Sequence, residues 1–245
     1  DSFSSKQNNR MYFSGMGSND SVEVVRYNGC TIKFGNITGT NLPVFNLSKD
    51  YLNFENYLGV DVDGGFAPYV VIPKDNARIT ARSIPPKVAA FQDALGNAVH
   101  TAMAGPVEGQ TILITGLGPI GIFAALVCKA LGARQIVATE VSPYRADLAR
   151  KVGLETVLDP RADGLDALLH DLAPGGFDGT LEMSGHPSQL DLAVRHTRPG
   201  GRISLLGIYP KSLQTVDVNA VVMRGIDVQG IVGRRLWKTW DQMGA

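Results

Sequence analysis

The run Thr111-Ile112-Leu113-Ile114-Thr115-Gly116-Leu117-Gly118-Pro119-Ile120-Gly121 constrains the fold of this chain more than any other stretch. Its first five residues are apolar or β-branched without alternation, the pattern of a parallel strand covered on both faces. Gly116, Gly118 and Gly121 follow with the spacing G-x-G-x-x-G. The first allows a tight turn, the second leaves room for a pyrophosphate to approach the backbone, and the third lets a helix pack close to the strand. Pro119 sits near the helix start, where its missing N–H costs little. The helix, expected from Ile120 to about Leu131, aims unpaired N–H groups and a positive dipole end at the turn, so an anion fits there.

Glycine turns are common, and the context is what raises this one. A second strand, Gln135 to Thr139, follows and ends in Glu140. That acid lies about 20 residues beyond the turn, where a carboxylate accepts hydrogen bonds from adenosine ribose hydroxyls. It would repel a 2′-phosphate, so the cofactor is read as NAD rather than NADP. Against this stands the plainer possibility that Glu140 is only a solvated strand end.

Past the glycine turn, strands and helices alternate. Helical patterns cover about Pro143 to Val152, Leu165 to Leu172 and Gln189 to Thr197. Strands fall at about Glu155 to Leu158, Gly179 to Glu182, Arg202 to Leu206 and Ile226 to Val232, with turns at Gly175-Gly176 and Pro199-Gly200-Gly201. This order predicts an α/β fold, a doubly wound parallel sheet of the Rossmann type, over residues 87–245. Right-handed crossovers then bring the strand C-terminal ends to one edge, where ligands bind.

Residues 1–86 read differently, as a small β-rich N-terminal region. The first ten residues form a polar tail. Val22 to Tyr27 and Thr31 to Phe34 flank Asn28-Gly29, a strong hairpin signal, and Thr40 to Phe45 is a further extended piece. Leu58 to Pro73 carries a glycine turn leading into a strand. Ile84-Pro85-Pro86 marks a boundary, after which Val88 to about Met103 reads as helical.

Composition narrows the partners. Lys+Arg and Asp+Glu each total 23, so the formal net charge is zero and neither nucleic acid nor an anionic membrane is an expected partner. No apolar run reaches the roughly 20 residues that span a bilayer. The two cysteines, Cys30 and Cys128, make no disulfide framework, and no secretory leader is seen, so a cytoplasmic protein is expected.

From Leu58 onward the chain resembles the medium-chain dehydrogenase/reductase superfamily, and within it the L-threonine 3-dehydrogenase branch. The resemblance is carried by Leu58 to Tyr69, by Leu95-Gly96-Asn97-Ala98-Val99-His100-Thr101, and by Gly116 to Gly121. Pro199-Gly200-Gly201-Arg202, Leu205 to Pro210, and Gly233-Arg234-Arg235-Leu236-Trp237-Lys238-Thr239-Trp240 carry the rest. It implies NAD-linked, zinc-dependent oxidation of a small secondary alcohol or amino-acid-like substrate in a homo-oligomer, a dimer or tetramer. The family holds zinc with an early Cys, a His in Gly-His-Glu and a later acid or Cys, and this pattern is missing here. No metal site is therefore expected, and residues 1–86 stand as a remnant or replacement of the catalytic domain.

The expected cofactor-binding residues are Gly116, Gly118, Pro119, Ile120, Gly121, Glu140, Arg145, Ser184, Leu206, Gly207, Ile231 and Gly233. The resemblance suggests that Arg145 reaches the adenosine ribose or adenine; otherwise it is a surface helix arginine. His100 borders the active site in relatives and is the candidate for handling the hydroxyl proton, unless it caps or packs a helix. Asp93 matches an acid beside the relatives' metal, and a structural hydrogen bond is the alternative. His186 either touches the cofactor or faces solvent. Arg234 and Arg235 meet an acidic substrate, an interface acid or solvent, and Asp227 to Val232 extends the sheet across a dimer in relatives. Two functions stay open: an NAD-dependent oxidoreductase, or a non-catalytic NAD-binding or assembly module. A flavin or S-adenosylmethionine site on the same fold is a weaker third.

Overall fold

The computed structural model describes residues 65, 68–70, 72, 77–211, 214–235 and 237–244, together with four short N-terminal strands. It divides into two compact units, Asp1–Asp93 and Ala94–Ala245.

In the first unit, β1 (Arg10–Phe13) pairs antiparallel with β2 (Val22–Val25), and β3 (Thr31–Phe34) pairs antiparallel with β4 (Ile37–Thr40). Among the described residues β2 and β3 are not paired with each other, and the hairpin turn expected at Asn28-Gly29 lies outside them. Only Gly35 and Asn36 separate β3 from β4, and a Gly-Asn pair is itself a two-residue hairpin signal. Thr40 closes β4 instead of opening an extended piece, and residues 41–45 lie outside the described residues. Arg10, read as tail, begins β1. The strand expected after Gly64-Gly65 is also absent among the described residues: Pro68, Tyr69, Val70 and Ile72 belong to no ladder. Pro68 has no N–H to give one.

The helix expected from Val88 to Met103 is two helices. The first, α1 (Pro86–Ala89), carries proline at its start and closes at Ala90, whose N–H reaches Pro86 O. The second is α2 (Gln92–Ala102).

The second unit is built on six parallel strands. They are β5 (Thr111–Thr115), β6 (Gln135–Thr139), β7 (Thr156–Leu158), β8 (Phe177–Glu182), β9 (Thr197–Leu205) and β10 (Asp227–Gly230), in the order β10-β9-β8-β5-β6-β7. The chain enters at the centre with β5, winds outward to β7, and returns to β8 on the other side of β5. The strand order therefore reverses between β5 and β8, which is where a doubly wound sheet opens a crevice. The connecting helices are α3 (Pro119–Ala130), α4 (Pro143–Lys151), α5 (Leu165–Leu172), α6 (Pro187–His196) and α7 (Val218–Arg224), and α8 (Lys238–Gly244) follows β10.

All five residues of β5 are buried, so the sheet is covered on both faces at its centre. Alternation within the strand sends Ile112 and Ile114 to one side and Leu113 to the other. Ile112 and Ile114 pack with Ala98 and Ala102 of α2, Ala124, Ala125 and Cys128 of α3, and Ala146 and Ala149 of α4. The run of alanines lets those helices lie close. Leu113 instead meets Leu165 and Leu169 of α5, Leu192 of α6, and Phe177. Each such buried leucine or phenylalanine is worth about 1.5–3 kcal/mol relative to exposure.

Two features depart from the sequence reading. Pro199-Gly200-Gly201 is not a free turn but part of β9, where the register against β8 slips between Phe177 and Gly179 and Gly200 takes φ +66°. The helices α7 and α8 were not expected. Asp217 caps α7 by accepting from Ala220 N at 2.9 Å, and Gly225 ends it at φ +58°.

Candidate functional site

The three glycines of the turn meet three different surroundings. Gly116 takes φ +90°, and a Cβ there would lie 2.9 Å from Ser184 Cβ at the end of β8. At Gly121, a Cβ would lie 2.1 Å from Gly116 O, so α3 leans on the turn as closely as a glycine permits. A Cβ at Gly118 would meet nothing within 4 Å. That open space sits at the N-cap of α3, which has no side-chain cap and starts with Pro119. The first-turn amides of Ile120 and Gly121 are thus left to whatever enters it.

Glu140 follows β6 and is only 6% exposed. Its Oε2 accepts from Leu117 N at 2.7 Å and its Oε1 from Ser142 N at 2.8 Å. The carboxylate therefore grips the glycine turn itself. A carboxylate offers about four lone-pair sites, so the two recorded donors leave capacity for ribose hydroxyls. The residues present fit a dinucleotide: an open backbone cradle, an uncapped helix start and an acid beside them.

The other strand ends gather on the same edge. Met183 N donates to Thr115 O at 2.9 Å, Leu206 N to Glu182 O at 2.9 Å, and Ile231 N to Leu205 O at 2.7 Å. Ser184 is exposed on this edge, Leu206 and Gly207 are half-buried, and Ile231 is buried. Gly233 takes φ +51° and accepts from His100 Nδ1 at 2.9 Å. His100 is buried on α2, and burial lowers its imidazole below the usual value, opposed by the Gly233 bond and aided by Arg235 and Lys238. Donation from Nδ1 makes Nε2 the basic nitrogen of the neutral ring.

Arg145 is exposed on the first turn of α4, and the structure does not join its side chain to this group. His186 caps α6, its Nδ1 accepting from Ser188 N at 3.3 Å, which gives it a structural task at the rim. Of the three surroundings expected for Arg234, solvent is excluded. Arg234 is 6% exposed, its guanidinium lies 5.3 Å from the centroid of the Trp240 ring, and burial lowers its pKa to about 10. Gly96 makes room for it, since a Cβ there would come 2.8 Å from Arg234 Cδ. Arg235 is exposed, as one of its alternatives required.

Two residues that the sequence reading passed over belong here. Glu182, the last residue of β8, is fully buried, and Tyr209 OH donates to its Oε2 at 2.8 Å. Burial, the Glu182 charge and this bond all raise the Tyr209 phenol. The signal was available: an acid closing an apolar strand, as Glu140 closes β6. Among the described residues, no three His, Cys, Asp or Glu side chains come together to hold a metal, so these residues do not fit a zinc ion. Nor is any helix among them long and apolar enough to cross a membrane.

A protein-family model described as zinc-binding dehydrogenase matches residues 119–245. The chain is 43% identical over 183 residues to L-threonine 3-dehydrogenase of Pyrococcus abyssi, covering 74% of this chain and 53% of that protein. It is likewise 43% identical to L-threonine 3-dehydrogenase of Aliivibrio fischeri, covering 77% and 55%. Among solved structures, 2R,3R-butanediol dehydrogenase from Bacillus subtilis superposes with a TM-score of 0.72 at 26% identity, covering 82% of this chain and 60% of that one. A zinc-binding dehydrogenase from Sinorhizobium meliloti bound to NADP gives 0.68 at 25%, covering 76% and 56%. The chain spans about half the length of the curated relatives it matches. With a family model over residues 119–245 and relatives 43% identical over about three quarters of its length, the chain belongs to the zinc-binding dehydrogenase family of the medium-chain dehydrogenase/reductase superfamily.

Proposed function

We propose that this chain is the cofactor-holding part of an NAD-dependent dehydrogenase of the L-threonine 3-dehydrogenase type, acting on a small secondary alcohol or amino-acid-like substrate. The observation that carries this reading is the bond from Leu117 N to Glu140 Oε2, which fastens a carboxylate to the turn whose Gly118 faces open space. When bound, the nicotinamide cofactor accepts a hydride from the alcohol carbon.

The protein's part is binding and orientation. Gly116, Gly118, Pro119, Ile120 and Gly121 form the pyrophosphate cradle, with the α3 dipole opposing the phosphate charge. Glu140 holds the adenosine ribose, and Arg145, exposed one helical turn away, covers the adenine side. Ser184, Leu206, Gly207, Ile231 and Gly233 border the nicotinamide end. We assign the hydroxyl proton to His100, whose Nδ1 bond to Gly233 fixes the ring and leaves Nε2 as its basic nitrogen.

NAD is favoured over NADP because a 2′-phosphate would approach the Glu140 carboxylate. Two like charges about 4 Å apart repel by about 4 kcal/mol at an effective dielectric of 20. The Sinorhizobium neighbour holds NADP, and the titration below separates the two cofactors. We also propose a homo-oligomer built through β10. It is an edge strand bearing Val228 at 41% exposure, with Val222 and Met223 exposed on nearby α7.

Calorimetric titration of NAD and NADP into the wild type and Glu140→Ala tests this function. Binding of NAD, at least 10-fold weaker binding of NADP, and a loss of NAD affinity of about 10-fold or more in the variant are expected, since a charge-assisted hydrogen bond is worth about 1.5–3 kcal/mol. A wild type that binds neither nucleotide, or a variant that binds NAD as the wild type does, overturns it.

A further inference from the structure

Glu182 carries a carboxylate in a fully buried position, 0% exposed. It closes β8 beside β5, where the strand order reverses. Burying a carboxylate is expensive unless its oxygens are satisfied, and these are. Oε1 accepts from Thr115 Oγ1 at 3.3 Å, from Ser184 N at 2.9 Å, from Ser184 Oγ, and from Gly185 N at 3.0 Å. Oε2 accepts from Tyr209 OH at 2.8 Å. Every partner is able to donate, which is the set an acceptor-only carboxylate requires.

The donors come from three segments: the end of β5, the β8–α6 loop and the segment after β9. Backbone approach reinforces the link. A Cβ at Gly207 would lie 2.2 Å from Gly185 N and 2.5 Å from Glu182 Oε2, and one at Gly185 would lie 2.4 Å from Ile208 O. The two loops therefore touch without side chains between them, and Glu182 sits under the junction. Ser184 in turn lies against Gly116, so the same carboxylate registers both loops to the glycine turn.

We propose that Glu182 is a positioning residue that locks the loop after β8 to the segment after β9 through Ser184 and Tyr209, and so sets the nicotinamide half of the cleft independently of the adenosine half. The proposal rests on the dinucleotide reading above. Glu140 and the adenosine side lie across β5, after β6, and none of the Glu182 donors comes from there. Replacing one oxygen by an NH2 group sets a donor against N–H and O–H donors and opens the junction; removing the Tyr209 hydroxyl cuts one tie only.

The test compares NAD with AMP, which carries the adenosine half alone, by calorimetry on the full chain. The wild type is expected to bind both. Glu182→Gln should weaken NAD by about 10-fold or more and AMP by less than about 2-fold, and Tyr209→Phe, which cuts one of several ties, should weaken NAD by about 3-fold with AMP unchanged. A role confined to stability would leave the NAD-to-AMP affinity ratio where it was. A ratio within about 2-fold of the wild type in both variants overturns the proposal on that scale. Should Glu182→Gln fail to fold, the ratio for Tyr209→Phe decides alone. A wild type that binds neither AMP nor NAD removes the dinucleotide reading and this inference with it, whereas intact binding with an unmoved ratio removes the inference only.

Discussion

Replacing each glycine of the turn by alanine separates folding from binding. Gly118 takes φ −62° and ψ 178°, backbone that alanine adopts freely, and its Cβ would meet nothing within 4 Å. Two small effects then oppose each other. Alanine is the poorer N-cap by about 0.5–1 kcal/mol, and the lower entropy of the unfolded chain returns about 0.4–1 kcal/mol. Gly118→Ala should therefore leave stability within about 1 kcal/mol of the wild type. Its methyl enters the space assigned to the pyrophosphate, and such overpacking costs about 1–3 kcal/mol, so NAD should bind about 5- to 150-fold more weakly. Gly121→Ala behaves in the opposite way. Its Cβ would sit 2.1 Å from Gly116 O, a backbone atom that cannot swing aside, so α3 must be pushed off the sheet. A loss of about 3 kcal/mol or more is expected. Gly116→Ala adds left-handed backbone strain of about 1–2 kcal/mol to a 2.9 Å approach to Ser184 Cβ. Urea unfolding followed by circular dichroism gives the stabilities and calorimetry the affinities. If Gly118→Ala loses as much stability as Gly121→Ala, or binds NAD like the wild type, the three-part reading of the turn is refuted.

Two further outcomes follow from the same packing. Arg202 of β9 donates to Ala102 O at 2.8 Å, Pro106 O at 3.3 Å, Thr101 O at 3.5 Å and Ser204 Oγ at 2.7 Å, satisfying the end of α2. Arg202→Met keeps the stem but orphans those acceptors, and a loss of about 2–4 kcal/mol in urea unfolding is expected; a change under about 0.5 kcal/mol would show that water replaces the guanidinium. For His100, burial lowers the folded-state pKa, so the unfolded chain binds the proton more readily. Stability should be full above the ordinary imidazole value of about 6.5 and decline as pH falls below it. His100→Asn keeps an N–H for Gly233 O without the titration, and its stability between about pH 7.5 and 5.5 should be flatter than the wild type's. Equal slopes in the two proteins would assign the pH dependence to other groups.

The second unit was legible because its signals are local and repeated. Thr111–Thr115, Gln135–Thr139 and Leu165–Leu172 come within a residue of their expected bounds, and the glycine turn joins the first strand to α3 as its spacing demands. Cys128 is fully buried on α3, and burial raises its thiol to about 12. Misreadings arose where two local signals competed. Thr31–Phe34 pairs with Ile37–Thr40 and not with Val22–Val25, and Pro199-Gly200-Gly201 was absorbed into β9 through an irregular register.

By itself, then, the sequence determined a parallel α/β sheet entered through a glycine turn, with an acid following the second strand. Periodicity, β-branching and glycine spacing act over a few residues and need no knowledge of what lies across the molecule. Only the tertiary structure decided that Glu140 bonds the turn, that Arg234 turns inward over Trp240, and that Glu182 and Tyr209 meet although 27 positions separate them. A charged side chain's fate depends on whether the folded chain brings donors or a ring to it as water leaves, and those partners come from strands that become neighbours only when the sheet closes.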